Sequence, residues 1–222
     1  MRGMNNAALS NLLPNRFADF VREPSHPCAM AKSVISRGAV DFGVYASLGS
    51  EHAAQANCND LYESLRKPRG GDYWSYVAIF PDNHIGDEAQ FELRMWEHLQ
   101  RMHDFDASRH DWDGAVSTDP DDANFSFSIG GQGWYVIGLH PEASRLARRW
   151  ESPALVFNPH GQFDDLRARG KYSTVRNLIR QRDVRLQGSI NPMLADHGDA
   201  SEARQYSGRA VPESWKCPLR VS

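Results

Sequence analysis

The sequence predicts an α+β fold, a single domain with a largely antiparallel central sheet, flanking helices and an irregular C-terminal segment. Helical and strand-like patterns alternate without the regular strand–helix–strand period of a parallel sheet. Two strand-like runs flank Gly130 and Gly131, which is typical of an antiparallel hairpin. Of 222 residues, 41% are hydrophobic and 24% charged, as in ordinary globular chains. We expect residues 1–14 to be flexible and residues 15–222 to form the domain.

The first elements are predicted from helix caps, helix breakers and alternation. Residues 15–21 predict a short helix, and residues 27–38 predict a second one that begins at a proline. The alternating run 39–46 is typical of a strand. Residues 50–67 predict a helix, because the serine at its start can accept a backbone N–H.

A strand, a helix and a loop are predicted in the middle of the chain. Residues 73–80 predict a strand that ends at a proline, and residues 87–102 predict an amphipathic helix. The face that this helix should bury consists of Phe91, Met95, Trp96, His98, Leu99 and Met102. The stretch 104–122 contains seven aspartates and predicts an exposed loop.

The second half repeats the alternation and then loses it. Strands are predicted at 124–129, 133–139 and 154–158, and helices at 141–150, 161–169 and 171–183. Beyond residue 187 the chain is interrupted by glycine, serine and proline, and such a tail needs a ligand or a surface to order it.

Composition excludes several classes of protein. Three cysteines make no disulfide framework, which favours a reduced cytoplasmic setting. The start of the chain resembles no signal peptide, and no run of about 18 apolar residues could span a membrane. The net charge of −3 does not favour nucleic acid as a partner, and no nucleotide, zinc or nucleophile-elbow motif occurs. Residues 145–185 hold ten Lys or Arg against four acids, but this run lacks the interleaved aromatics of an RNA-binding face.

Two histidines and a cysteine could ligate a haem iron. His140 ends a predicted buried strand, His160 lies between a strand and a helix, and Cys217 precedes a proline beside a tryptophan. Imidazole and thiolate are both haem ligands. Each residue also has a structural interpretation: the histidines could begin helices, and the cysteine could be inert.

A second cysteine, Cys28, lies at a predicted helix N-terminus beside His26. That position predicts a lowered thiol pKa. The alternative is a small buried apolar side chain, which describes most such cysteines. Arginines after His140, among them Arg145, could pair with carboxylates in bidentate fashion.

Several ordered blocks together resemble one known family, YqcI/YcgG. The blocks are HPCAMAKS, GLHPEASRLARRW, LVFNPHGQFDDLRARGKY, IRQRD, LQGSINPML, and SEARQYSGR followed by WKCP. The resemblance covers about residues 17–218 and is densest from Gly138 onward. The family's first block usually reads Phe-Pro-Cys, whereas this chain has His26 in the first place.

The resemblance implies a haem-dependent oxygenase. Members of the family include N-hydroxylases of guanidines, such as those of D-cycloserine and guanitoxin biosynthesis. A b-type haem, L-arginine or another guanidine, and O2 or H2O2 with an electron donor are therefore the expected cofactor and partners. A homodimer is allowed. A non-catalytic haem carrier or sensor is the main alternative, and a nucleic-acid-binding protein without haem is another.

Candidate roles follow from that implication. For the iron ligand, His140 is the first choice, His160 the second and Cys217 the third. Glu202 is expected to hold the planar guanidinium, and Glu202, Tyr206 and His160 are the catalytic candidates. The remaining candidates are Arg148, Arg149 and Arg180 for the haem propionates, and Ser189, Asn191, Arg204 and Gln205 for the substrate.

Overall fold

The computed structural model describes residues 6–71, 73–193 and 200–221, so part of the predicted flexible segment 1–14 lies outside it. The α-helices are α1 (Asn6–Arg22), α2 (Ala29–Ser36), α3 (Glu51–Arg66), α4 (Glu88–Asp106), α5 (Gly161–Ala168), α6 (Tyr172–Gln187) and α7 (Ala203–Tyr206). The strands are β1 (Val40–Val44), β2 (Ser75–Ile79), β3 (Phe127–Ile129), β4 (Gln132–Leu139) and β5 (Ala154–Pro159).

One five-stranded sheet organises the chain, in the order β1-β2-β5-β4-β3. Strands β1 and β2 are parallel, and the other three pairings are antiparallel. Strands β3 and β4 form the predicted hairpin around Gly130 and Gly131, both of which have positive φ. The predicted α+β class, with a largely antiparallel sheet flanked by helices, is confirmed.

Helices α3 and α4 pack on the first face of the sheet. All six side chains predicted for the buried face of α4 are at most 3% exposed. They pack against alternate residues of the strands, including Tyr76, Trp134 and Phe157. The residues on this face therefore form a closed hydrophobic core, the first core.

Helices α1 and α2 cover only part of the second face. Phe17 and Val21 of α1 pack with Val77 and Ile79 of β2 in a smaller core. Helices α5 and α6 lie over another part of this face. Asp183 is the one buried residue of α6. The space that these four helices leave above the strands is the cavity described below.

Helix α1 is longer than predicted. It begins at Asn6 instead of residue 15 and continues through Pro14, although proline removes a backbone hydrogen bond. Leu13, Phe17 and Val21 recur at helical spacing and are at most 4% exposed. Their burial against the sheet outweighs the cost of the proline.

The predicted helix 141–150 is wrong apart from one 3-10 turn at Leu146–Arg148. The chain folds back here, so that His140 N–H donates to the Arg148 carbonyl at 3.1 Å. The backbones of His140 and Arg149 also form an isolated β-bridge. A continuous helix could not return the chain to the end of β4 within this length.

Gly43 in β1 allows two tyrosines to meet. A β-carbon there would lie 2.1 Å from the Tyr76 hydroxyl and 2.2 Å from the Tyr45 hydroxyl. We expect Gly43→Ala to lower the free energy of unfolding by about 1–3 kcal/mol, because these rings cannot move aside in a packed core. Urea unfolding measures the loss. Gly114→Ala is the control, since nothing lies within 4 Å of its β-carbon position, and an equal loss in both variants would contradict the expectation.

None of the helices in the described part of the chain combines the length and the apolar character needed to cross a membrane.

Candidate functional site

A cavity of about 340 Å³ lies between the second face of the sheet and helices α1, α2, α5 and α6. This volume falls in the range of small-molecule and cofactor sites. Its floor is formed by residues of four strands, namely Val40, Ser75, Val77, Tyr135, Ile137, Leu139, Val156 and Asn158. The helices add further apolar side chains, among them Val34 and Ile179. The cavity therefore suits a ligand with a large apolar surface.

Arginines make the wall of this cavity cationic. Arg145, Arg148, Arg167, Arg176 and Arg180 contribute to the lining, whereas the acidic groups there are Asp183 and Glu202. An apolar floor with an excess of arginines fits a ligand that is largely apolar and carries anionic groups.

Arg148 is a buried cation on this wall. It is 8% exposed, and its Nη1 donates to the carbonyl oxygens of Tyr206 at 2.8 Å and Gly138 at 3.3 Å. Within the described ranges it forms no ion pair with a carboxylate. Burial lowers the pKa of its guanidinium. A carboxylate bound in the cavity would supply the missing counter-charge.

Arg145 already has its counter-ion. Its Nη2 donates to the Asp183 carboxylate and to the carbonyl of Ser189 at 2.8 Å, and its Nη1 donates to the Ser189 hydroxyl at 3.0 Å. Asp183 also accepts from the backbone N–H of Asn191 at 3.3 Å. This network ties the C-terminal end of α6 to the 3-10 turn.

Cys28 and His26 are, within the described residues, the cysteine and histidine that line the cavity. Cys28 caps α2, and its Sγ accepts the Ala31 N–H at 3.3 Å. Burial raises the pKa of this thiol, although the N–H groups of Ala31 and Met30 act in the opposite direction. The predicted lowered pKa is therefore wrong for the ligand-free chain, because desolvation outweighs the helix N-terminus.

Three buried polar atoms on the wall have no hydrogen-bond partner among the described residues. They are Nδ1 of His26, Oε1 of Gln162 and Nη2 of Arg167. Burial also lowers the pKa of His26 to about 4. Buried polar atoms are normally paired, so these three point to a bound group that satisfies them.

His140 lies on the opposite face of the sheet from the cavity. Alternate residues of a strand face opposite sides, and the cavity receives Tyr135, Ile137 and Leu139. The His140 ring stacks on Phe91 of α4 with ring centroids 4.2 Å apart. It is fully buried, both ring nitrogens lack partners in the described chain, and burial lowers its pKa to about 4.

Glu202 joins the cavity to a buried polar cluster. It lines the cavity and is 6% exposed. Its Oε1 accepts from the Ser126 hydroxyl and, at 2.7 Å, from the Tyr206 hydroxyl. Ser126 Oγ also lies 2.8 Å from Nδ1 of His160. Four side chains from three separate parts of the chain thus form one hydrogen-bonded group.

The position of α7 explains why this cluster forms. Strand β3 is short and pairs only with residues 132–134 of β4. The rest of that edge of β4 is therefore open, and α7 packs there. Glu202 and Gln205 face the cavity, while Tyr206 enters the first core. The Tyr206 hydroxyl accepts the Phe127 N–H and lies 3.1 Å from the carbonyl of Trp134.

Among the carboxyl groups of the described residues, Glu202 has the largest pKa shift. Burial raises its pKa to about 8, although the bonds from Ser126 and Tyr206 lower it. Near neutral pH the ligand-free protein therefore holds a largely protonated carboxyl group on the cavity wall. Such a group can give or take a proton close to physiological pH.

The other predicted residues fall into two groups. Arg180, Asn191 and Gln205 line the cavity. Ser189 contacts Arg145, Arg149 donates to the Ala143 carbonyl, and Arg204 donates to the carbonyls of Pro212, Glu213 and Trp215. Cys217 packs against the first core, where burial raises its pKa to about 12. The structure therefore does not bring Ser189, Arg149, Arg204 or Cys217 to the cavity wall.

Two cavity features were missed or set aside at the level of sequence. No sequence motif includes Ser126, because its contacts with Glu202 and His160 arise only when the sheet has formed. Cys28 did carry a signal, a thiol at the start of a helix beside His26, but a structural interpretation was preferred.

Comparison with known proteins supports the resemblance seen in the sequence. The family model described as YqcI/YcgG matches residues 17–220. No curated protein and no solved structure matches the chain. The match covers the sheet, every described side chain of the cavity wall from Phe17 to Gln205, and the buried residues of both cores apart from Leu13, and the chain belongs to the YqcI/YcgG family.

Proposed function

We propose that this protein is a haem-dependent oxygenase that N-hydroxylates the guanidino group of L-arginine or a related guanidine in specialised metabolism. The observation that carries the proposal is the cavity, which combines an apolar floor, the partly buried thiol of Cys28, the buried cation Arg148 and one protonatable carboxyl group, Glu202. Known guanidine N-hydroxylases of the family make this activity the preferred one. The free thiols of Cys28, Cys58 and Cys217 favour the cytoplasm as its location.

The lining fits a b-type haem. Apolar side chains of the strands would pack against the porphyrin, and Arg148 and Arg180 would pair with the propionates. Cys28 is our choice for the iron ligand, because it lies on the cavity wall and backbone N–H groups support its thiolate form. A bound haem would supply oxygen activation there. His140, ranked first from the sequence, lies on the other face of the sheet.

Glu202 is our choice for holding the guanidine. A guanidinium beside this carboxyl group would favour its ionised form, so that binding would release a proton. Carboxylates pair with guanidinium in fork geometry, which also orients the reacting nitrogen. Asn191 and Gln205 lie on the same wall and offer amide groups to the rest of the substrate.

The proposed reaction needs protons as well as electrons when O2 is the oxidant. One oxygen atom enters the new N–O bond, and the other leaves as water with two electrons and two protons from outside. With H2O2, one oxygen atom is transferred and water is the second product. The protein must therefore hold the guanidine nitrogen in place and provide a route for protons.

The test is an absorption spectrum of the protein expressed with haem supplied, before and after addition of L-arginine. We expect a Soret band that shifts on adding L-arginine and does not shift with lysine, which is cationic but not planar. Mass spectrometry after supplying an oxidant should detect arginine that has gained one oxygen atom. A protein without a Soret band would contradict the proposal.

A haem carrier or sensor is the outcome to be separated from the enzyme. A low-spin six-coordinate spectrum that ignores L-arginine would favour the carrier and remove the hydroxylase proposal. A colourless protein that binds RNA in a salt-dependent way would remove both.

A further inference from the structure

The buried cluster around Glu202 continues to the protein surface. His160 Nε2 lies 3.7 Å from the Asp164 carboxylate, and the side chain of Asp164 is 58% exposed. From Asp164 inward, His160 is 4% exposed and Ser126 is fully buried. Glu202 then reaches the cavity. The steps from His160 to Ser126 and from Ser126 to Glu202 are hydrogen bonds, and the outermost step is the 3.7 Å separation between His160 Nε2 and the Asp164 carboxylate.

We propose that Ser126 and His160 form a proton path that links Glu202 on the cavity wall to the surface at Asp164. The proposal rests on the proposed function only for the use of the proton, which is the supply that the oxygenase reaction needs. Ser126 and His160 act through Glu202, so they are positioning residues. Nothing in the family resemblance singles out Ser126.

The groups along the path can pass a proton with all valences satisfied. His160 donates its Nδ1 proton to Ser126 Oγ while Nε2 takes a proton from the Asp164 side. Ser126 passes its hydroxyl proton to Oε1 of Glu202. Glu202 gives a proton to the acceptor in the cavity. The net result is one proton moved from solvent to the cavity, and the reverse order carries a proton out.

The charges around the path suit this role. Burial lowers the pKa of His160, so its ring is largely neutral near pH 7 and can exchange one proton for another. Asp164 and Arg167 of α5 face both His160 and Glu202, with opposite signs. Asp113 also acts on His160, while the hydroxyls of Tyr206 and Tyr135 lie near Glu202. The cluster thus holds a neutral histidine next to a protonatable carboxyl group.

Infrared spectroscopy tests the path in the full chain without added haem. A protonated Glu202 has a carboxylic C=O band near pH 7 that Glu202→Gln removes. After mixing with D2O, the shift of this band reports how fast the buried proton exchanges. We expect Ser126→Ala to slow the exchange by about 10- to 100-fold, and Ser126→Thr to restore it, because a hydroxyl is again present to relay the proton.

Two further variants separate a proton path from a structural role. Ser128→Ala removes another buried hydroxyl nearby, which accepts the Asp113 N–H, and should exchange at the wild-type rate. His160→Gln should slow exchange as Ser126→Ala does, and it replaces that variant if the alanine protein does not fold. Wild-type exchange in a folded Ser126→Ala or His160→Gln protein would overturn the path, as would the absence of a band that depends on Glu202.

The outcome does not depend on haem binding. Slow exchange in Ser126→Ala together with a missing Soret band would support the path and contradict the proposed oxygenase. A normal arginine-dependent spectrum with unchanged exchange would leave the oxygenase standing and overturn the path.

Discussion

Replacing Cys28 by serine is expected to abolish haem retention while the protein stays folded. Serine is a better helix cap than cysteine, so the acceptor for the Ala31 N–H is kept and only the soft iron ligand is lost. The haem content of purified protein, measured against protein concentration, should fall to near zero. Circular dichroism should remain that of the wild type.

Two control variants use two of the three ligand candidates predicted from the sequence. His140→Ala and Cys217→Ala should retain haem, because His140 stacks on Phe91 across the sheet and Cys217 packs on the first core. Haem loss in His140→Ala alone, with normal content in Cys28→Ser, would contradict our choice of ligand and restore the order expected from the sequence. Loss of native circular dichroism in His140→Ala would mark that result as unfolding, since both of its ring nitrogens are buried.

Replacing Glu202 by glutamine is expected to change the pH dependence of stability. In the folded protein Glu202 keeps its proton up to a pKa of about 8, whereas in the unfolded chain its pKa is near the ordinary value of 4.5. Between these values the folded state binds more protons, so the stability of the wild type falls as pH rises. Glutamine is neutral throughout and escapes this loss.

The expected size of the effect is large. One pKa unit corresponds to about 1.4 kcal/mol, so Glu202→Gln should gain about 3–5 kcal/mol relative to the wild type between about pH 5 and pH 9. Urea unfolding at several pH values measures the difference between the two proteins. All other titrating groups are shared and cancel in that difference. A constant difference across the range would show that Glu202 is ionised in the folded protein, and it would also weaken the proposed proton path.

Much of the fold could be predicted because local patterns and tertiary packing agree. Helix α4 is amphipathic, and its predicted face is buried. The β3–β4 hairpin has glycines where positive φ is required. Prediction failed where a distant contact decided the outcome. Pro14 did not end α1, because Leu13 and Phe17 bury against the sheet, and residues 141–150 turn back to pair with His140.

In the site, too, some features could be predicted from the sequence and others were decided by distant contacts. Glu202, Gln205, Asn191, Arg148 and Arg180 were predicted from the haem and the guanidine that the family resemblance implies, and all of them line the cavity. The three predicted iron ligands do not line the cavity. The sequence shows which residues could bind iron, but it does not show where in the fold each one lies.

By itself, the sequence determined the family, the α+β class and the residue types available for chemistry. Only the tertiary structure decided which of those residues meet. His140 and Leu139 are neighbours in the chain, yet strand alternation sends one to the core and the other to the cavity. Ser126 and Glu202 are 76 residues apart, yet α7 packs at the edge of β4 and brings them into contact. The physical reason is that local patterns are set by neighbouring residues, whereas a cavity is the space that remains when distant elements pack.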